Sequence, residues 1–178
     1  MKMIIPIATL LITPAAGDML VTDFSNQHQL RWQIVNDTVM GGRSSASFVE
    51  ENNEAIFRGN LSLENYGGFA SIRAAIKPIN KAASKVAITV KGDGRDYQLR
   101  LYSRLYSGQV SYRHMFTTTE EYQTIMLPMD AFIATYRGRL LTELDPIAWQ
   151  QVIGVGFMLA DKKPGDFALT IKDIRFMP

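Results

Sequence analysis

The chain contains no cysteine, which excludes disulfides, thiolate metal sites and cysteine nucleophiles. It has only two histidines, His28 and His114, too far apart in sequence to suggest a histidine metal site. Net charge is scarce: 19 Lys and Arg against 17 Asp and Glu leave +2, with the basic residues scattered along the chain. So small an excess argues against nucleic acid or an anionic membrane as partner. No Gly-Lys-Ser/Thr follows a glycine pair, so no phosphate loop is indicated. Neither histidine stands in a nucleophile-elbow context that would serve Ser44 or Ser45, and nothing marks out a carboxylate pair among the acids. These absences point away from an enzyme and toward a chain with no cofactor and no bound metal.

What is present is an ordinary globular composition, 47% hydrophobic and 20% charged, in 178 residues. That length suits one domain with a proper core. Residues 1–18 stand apart: Met1-Lys2, an apolar run to Ile12, then small residues Ala15, Ala16 and Gly17. This pattern matches a short secretory signal cleaved after Gly17, and the alternative is an N-terminal apolar strand or extension. The first reading favours an exported, periplasmic location over a cytoplasmic one. The run is too short for a transmembrane helix, so no transmembrane segment is expected.

From residue 19 to 178 the chain reads as short strands and turns. Leu30 to Val35 sets Trp32 and Ile34 against Arg31, Gln33 and Val35. Phe69 to Ile76 sets Ala70, Ile72 and Ala74 against Ser71 and Arg73. The sets Val86/Ile88/Val90, Tyr97/Leu99/Leu101, Val110/Tyr112/His114/Phe116 and Phe167/Leu169/Ile171 alternate likewise. Period-two patterning is what half-buried strands require. Glu51 to Glu54 reads as a hairpin turn, and only 129–150 breaks the strand grammar, with helical turns expected at Ala131 to Tyr136 and Pro146 to Gln151. About ten strands with turn signals between them predict an all-β, antiparallel jelly-roll-like sandwich with one or two short helical turns.

Two stretches are too rich in special residues to be ordinary turns. Residues 36–44 read Asn-Asp-Thr-Val-Met-Gly-Gly-Arg-Ser, and 64–73 read Glu-Asn-Tyr-Gly-Gly-Phe-Ala-Ser-Ile-Arg. Asn36 and Asp37 suit capping of their own downstream amides, Gly41-Gly42 suit positive φ, and Thr38 to Met40 suit an apolar plug under the loop. Turn geometry leaves Arg43 unexplained, and less firmly Asp37 and Arg73, which an Asp37–Arg73 or Glu64–Arg73 ion pair would account for. The partner-binding surface expected from these stretches comprises Asn36, Asp37, Met40, Arg43, Asn65, Tyr66 and Arg73. Gly92 to Asp96 suggests either a hairpin turn or, more weakly, a calcium site. The aromatics Trp32, Tyr66, Tyr97, Tyr102, Tyr106, Tyr112 and Trp149 leave a carbohydrate ligand open, with Tyr66 in a turn as the best exposed.

The order and spacing of several motifs resemble the complex I intermediate-associated protein family. They are Trp32 leading into Asn36 to Ser44, Phe57-x-Gly59, Asn65-x-Gly67-Gly68-Phe69-x-Ser71-x-Arg73, and Gly92-Asp93-Gly94-x-x-Tyr97, followed by Leu127-Pro128, Arg137-Gly138 and Ile153-Gly154-x-Gly156-Phe157. The likeness runs from about residue 22 to 176. Tyr122-Gln123 and Pro128-Met129 depart from the family's tryptophan and Pro-Phe, exchanging one large apolar group for another. The resemblance implies a galactose-binding-like β-sandwich and, from the mitochondrial members, a role in assembling respiratory complex I. The function expected is a non-catalytic domain binding a protein, such as a respiratory-chain subunit or assembly intermediate, as an assembly or folding factor. The alternative is a carbohydrate-binding module on the same fold.

Overall fold

Period-two segments that are apolar on one face bury that face by pairing into sheets and stacking two sheets together. The computed structural model describes residues 17–105 and 109–178, and in these the chain forms thirteen strands and four short 3-10 turns. The signal-like segment, apart from Gly17 and Asp18, lies outside the described residues, as does Tyr106.

One sheet runs β3 (Ser45–Glu51), β4 (Glu54–Leu61), β13 (Gly165–Met177), β6 (Lys85–Gly92), β9 (Gln123–Pro128). Strand β1 (Met19–Thr22) joins it along β13. Strands β4 and β1 divide one edge of β13 between them: β4 pairs with Gly165 to Ile171, β1 with Ile174 to Phe176. The second sheet runs β11 (Arg139–Leu140), β10 (Ile133–Tyr136), β8 (Ser111–Thr117), β7 (Asp96–Ser103), β12 (Val152–Leu159), β5 (Ala70–Ala75), β2 (Trp32–Asn36). Every pairing is antiparallel. The fold is therefore the all-β sandwich that the alternation predicts.

The core lies between the sheets. Ile72, Ile88, Val90, Tyr97, Leu99, Leu101, Val155, Phe157, Leu169 and Ile171 are fully buried there. Each large apolar side chain so buried contributes about 1.5–3 kcal/mol before entropy is counted. Asn52 and Asn53, both at positive φ, close the β3–β4 hairpin with a two-residue turn.

Two expectations for 129–150 need correction. Ala131 to Tyr136 is no helical turn: Met129–Ala131 makes a single 3-10 turn and Ile133–Tyr136 is β10. Its alternation is masked because Thr135, on the face away from the core, is as buried as Ala134 on the core face. Of Pro146 to Gln151 only Trp149–Gln151 turns, also as 3-10.

The Gly92–Asp96 turn is not the expected hairpin, because β6 and β7 belong to different sheets; it is a corner between the sheets, and both carboxylate oxygens of Asp93 are already engaged. Asp93 Oδ1 accepts from the Arg95 amide, and Oδ2 from the Tyr97 hydroxyl (3.0 Å) and the Ala168 amide (2.9 Å). Arg95 reaches across to the turn before β13. It binds Asp161 with both Nε and Nη2 (2.9 and 2.7 Å) and donates to the carbonyls of Lys163, Gly165 and Asp166.

Candidate functional site

The two special stretches meet, and the side chain that joins them is Asp37. It is fully buried. Its Oδ1 accepts the Ser44 amide at 3.0 Å; its Oδ2 accepts the Ser44 hydroxyl (2.5 Å) and the amides of Gly68 (2.6 Å) and Phe69 (3.3 Å). One carboxylate thus satisfies donors from both loops. Burial pushes the Asp37 pKa up, but the Ser44 hydroxyl and the Gly68, Ser44 and Phe69 amides outweigh it and hold the carboxyl below its ordinary value. The glycine pairs follow from this geometry. A Cβ on Gly42 would stand 2.4 Å from Asp37 Cγ, and one on Gly67 2.5 Å from Oδ2. Gly41 and Gly68 take positive φ, 91° and 126°.

Asp37 therefore faces inward and is not bonded to Arg73, the partner expected for it. Asn36 ends β2 with no capping hydrogen bond, and its buried Oδ1 has no protein partner. Thr38 to Met40 form no plug: the 3-10 turn Asp37–Met40 points Val39 and Met40 into solvent. Asn65 donates to the Gly41 carbonyl at 3.2 Å, a second tie between the loops. Tyr66 is fully exposed, held there with φ of 60°. Val39, Met40 and Tyr66 are thus three exposed large apolar side chains on loops that Asp37 and Asn65 tie together, an apolar crest, with Leu63, also exposed, just before the second loop.

Arg43 pairs with Glu64 at 3.1 Å, so the ion pair near these loops involves Arg43 and leaves Arg73 out. Both side chains are about two-thirds exposed (67% and 64%), and an ion pair so placed contributes up to about 1 kcal/mol. Arg43→Ala is accordingly expected to change unfolding free energy by no more than about 1 kcal/mol, measured by urea denaturation. A larger loss would show a structural role that the geometry does not contain.

Arg73 stands elsewhere, on the face of the second sheet turned away from the core. Pairing sets Gln33, Arg73, Gly156, Arg100 and Arg113 in one row across β2, β5, β12, β7 and β8. The next row holds Gly154, Tyr102, Ser111 and Thr135. These rows floor a cleft of about 840 Å³, whose rim includes Met40, Leu63 and Phe69 from the two loops, with Arg137 and Lys162 also lining it. Tyr102 lies across the two glycines, its ring 3.5 Å from where a Gly154 Cβ would be and 3.2 Å from one on Gly156. The Arg73 guanidinium sits over the same ring at 6.0 Å.

Arg100 is the unusual member. It is 7% exposed. Its Nη1 donates to Gln98 Oε1 (2.8 Å) and Met158 Sδ (3.2 Å), and its Nη2 to Ser111 Oγ (2.7 Å) and Thr135 Oγ1 (2.5 Å). All four acceptors are neutral. Burial lowers its pKa; Tyr102 works the other way, and the like charge of Arg113 directly across the strand pair lowers it further. No acid lines the cleft. Among the described residues none of its five cations forms an ion pair, and residues 1–16 and 106–108 contain no Asp or Glu.

Of the seven residues singled out in the sequence, Met40 and Arg73 line the cleft. Arg43, Asn65 and Tyr66 stand on the loops beside it, and Asn36 and Asp37 lie beneath them. Arg100, Arg113, Arg137 and Lys162 were not singled out. Of the other aromatics, Tyr97 and Tyr112 are buried and Trp32 packs against Phe48 at 5.2 Å.

The family model described as Complex I intermediate-associated protein 30 matches residues 22–171. The mitochondrial complex I intermediate-associated protein 30 of Mus musculus is 25% identical over 178 residues, covering 85% of this chain and 54% of that protein. The probable counterpart of Caenorhabditis elegans is 27% identical over 172 residues, covering 83% and 51%. The chain thus spans about half the length of the curated relatives it matches. Among solved structures, the Family 11 Carbohydrate-Binding Module of a Clostridium thermocellum cellulosomal cellulase superposes with a TM-score of 0.66 at 15% identity, covering 92% of this chain and 96% of the module. That likeness is one of fold.

Proposed function

The chain belongs to the Complex I intermediate-associated protein 30 family, and from that premise we propose that it is a non-catalytic binding domain for a protein partner. It acts as an assembly or folding factor, with a respiratory-chain subunit or assembly intermediate as its client. The observation that carries this reading is the crest of Val39, Met40 and Tyr66. Folding gains nothing from three large apolar side chains in solvent, yet Asp37 holds their two loops in one rigid arrangement. Exposed apolar groups on a rigid base, rimmed by polar ones such as Arg43 and Asn65, are what a protein contact uses. The names of the mouse and nematode relatives support the choice of partner.

A carbohydrate ligand is the second reading, and it rests on the same fully exposed Tyr66. Two measurements separate them: affinity capture from the native host's membrane extract, and a glycan array. Replacing Val39, Met40 and Tyr66 together with serine is expected to leave the melting temperature unchanged, since exposed substitutions cost within about 0.5 kcal/mol. It is expected to abolish capture of a stoichiometric protein partner. Specific glycan binding lost on Tyr66→Ala, with no stoichiometric protein captured, would overturn the protein reading.

A further inference from the structure

Outside the nucleic-acid binders, a cleft that gathers five cations and no acid is an unusual object. It is more so when the molecule as a whole is nearly neutral. Arg73, Arg100, Arg113, Arg137 and Lys162 line this one, and the other 14 Lys and Arg of the chain are outnumbered by 17 Asp and Glu. The arrangement works against folding. Arg100 and Arg113 stand directly opposite each other on paired strands, where like charges repel. Arg100 is buried without a counter-ion, which is the costly way to place a guanidinium. Among the described residues, Arg73, Arg113, Arg137 and Lys162 make no side-chain hydrogen bond or ion pair that would hold them for structural reasons. A ligand carrying negative charge supplies the missing counter-charge, and the Arg100 charge beneath the floor favours it without needing direct contact.

We infer that the cleft takes a carboxylate-bearing, extended segment of the partner polypeptide, with Arg73 and Arg113 as its principal contacts. This rests on the protein-binding reading above and names the chemistry of the partner. Two observations favour a polypeptide over an acidic sugar. The cleft rim is continuous with the apolar crest through Met40 and Leu63, so one segment with acidic and apolar side chains reaches both. A sugar ring needs a free aromatic face. Tyr102 packs its ring beside Gly154 and Gly156 and carries the Arg73 guanidinium over it at 6.0 Å, and Phe69, the other aromatic lining residue, is half-buried in the rim.

The test uses the full chain and three probes in fluorescence anisotropy: labelled octaglutamate, labelled octaglutamine and labelled hexagalacturonate. Octaglutamate is expected to bind, to weaken with added salt, and to raise the melting temperature, while octaglutamine does neither. The double variant Arg73→Gln/Arg113→Gln, at an exposed and a half-buried position, is expected to weaken octaglutamate at least about 10-fold with the melting temperature of the free protein retained. Lys77→Gln/Lys81→Gln, two exposed cations outside the cleft, is expected to change nothing. Should Arg113 prove necessary for folding, Arg73→Gln/Lys162→Gln serves with the same expectation.

Octaglutamate binding no better than octaglutamine, or binding unaffected by the cleft variants, would overturn the inference. So would hexagalacturonate binding about 10-fold tighter than octaglutamate, which would make the occupant a saccharide. The two readings fail separately. If the crest variant loses the captured partner while the cleft variants keep it, protein binding stands and the cleft inference falls. If octaglutamate binds in the cleft but no partner is captured, the cleft's preference for a carboxylate-bearing chain stands while the assembly-factor reading falls.

Discussion

Replacing Asp37 with alanine is expected to destabilise the protein by about 3–5 kcal/mol, because several buried backbone donors lose their one acceptor together. The amides of Ser44, Gly68 and Phe69 all lose their acceptor at once. A buried donor left unpaired costs about 1–3 kcal/mol. The Ser44 hydroxyl is the exception, because the Ser62 carbonyl remains in reach at 3.2 Å. Urea denaturation measures the loss. A change under about 1 kcal/mol would mean the amides find water and the two loops are not clamped. The variant is also expected to lose partner capture, since the crest would no longer have a fixed base.

The same carboxylate sets a pH dependence. The folded-state pKa of Asp37 lies below its ordinary value of 3.8, so the unfolded chain takes up the proton first as pH falls. Stability from Asp37 is therefore fully present above the unfolded pKa and is lost as pH falls through the folded one. Asp161 and Asp23, also lowered, act in the same direction. Asp37→Asn is expected to flatten the acid side of the stability curve relative to wild type while lowering it at neutral pH. Parallel curves between pH 5 and pH 2, about the span over which a lowered Asp titrates, would contradict this.

The second large effect is expected at Arg95. Its forked pair with Asp161 is nearly closed to water, the two side chains being 12% and 4% exposed. Arg95→Ala leaves Asp161 buried without its forked partner, and three carbonyls lose a donor, Lys163 in the turn and Gly165 and Asp166 at the start of β13. The expected cost is again about 3–5 kcal/mol. For a chain of this length that lowers the melting temperature by roughly 6–20 °C. The double variant Arg95→Ala/Asp161→Ala is expected to cost clearly less than the two single losses together, because the second change removes the charge that the first stranded. Simple additivity would show that the pair contributes nothing as a pair. Hydrogen exchange should report the same loss locally, at the amides of 161–168.

The sandwich was legible because its strands alternate without interruption. Ile72 and Ala74, Ile88 and Val90, and Leu169 and Ile171 each need only a period of two to be placed on an inner face. Strand β10 was not, because Thr135 is buried on the outer face by the Ser111 carbonyl and the Arg100 guanidinium, and a polar residue so hidden breaks the expected contrast. That 36–44 and 64–73 are neighbours could be suspected from their paired glycines. That Asp37 is what both glycine pairs surround could not, since a carboxylate in a polar loop reads equally well as facing outward.

The cationic cleft was the least legible feature. Its five members are spread from Arg73 to Lys162, each on a different strand or the turn that follows one, so along the sequence they look scattered. Alternation says which of them face away from the core. Only the strand order, with β5, β12, β7 and β8 side by side, brings them together.

Strand β13 has a consequence for biosynthesis. It is the shared neighbour of β1, β4 and β6, yet of the thirteen strands described it is the last to be translated. Between the end of β6 at Gly92 and the start of β13 at Gly165 the ribosome must add more than 70 residues. At ordinary elongation rates that interval lasts about 4–15 s. Throughout it β4 and β6 each present an unpaired edge rich in buried-type residues, Phe57 and Ile88 among them. The nascent chain is thus itself exposed to premature association, and any slowing of translation after Gly92 lengthens that exposure directly.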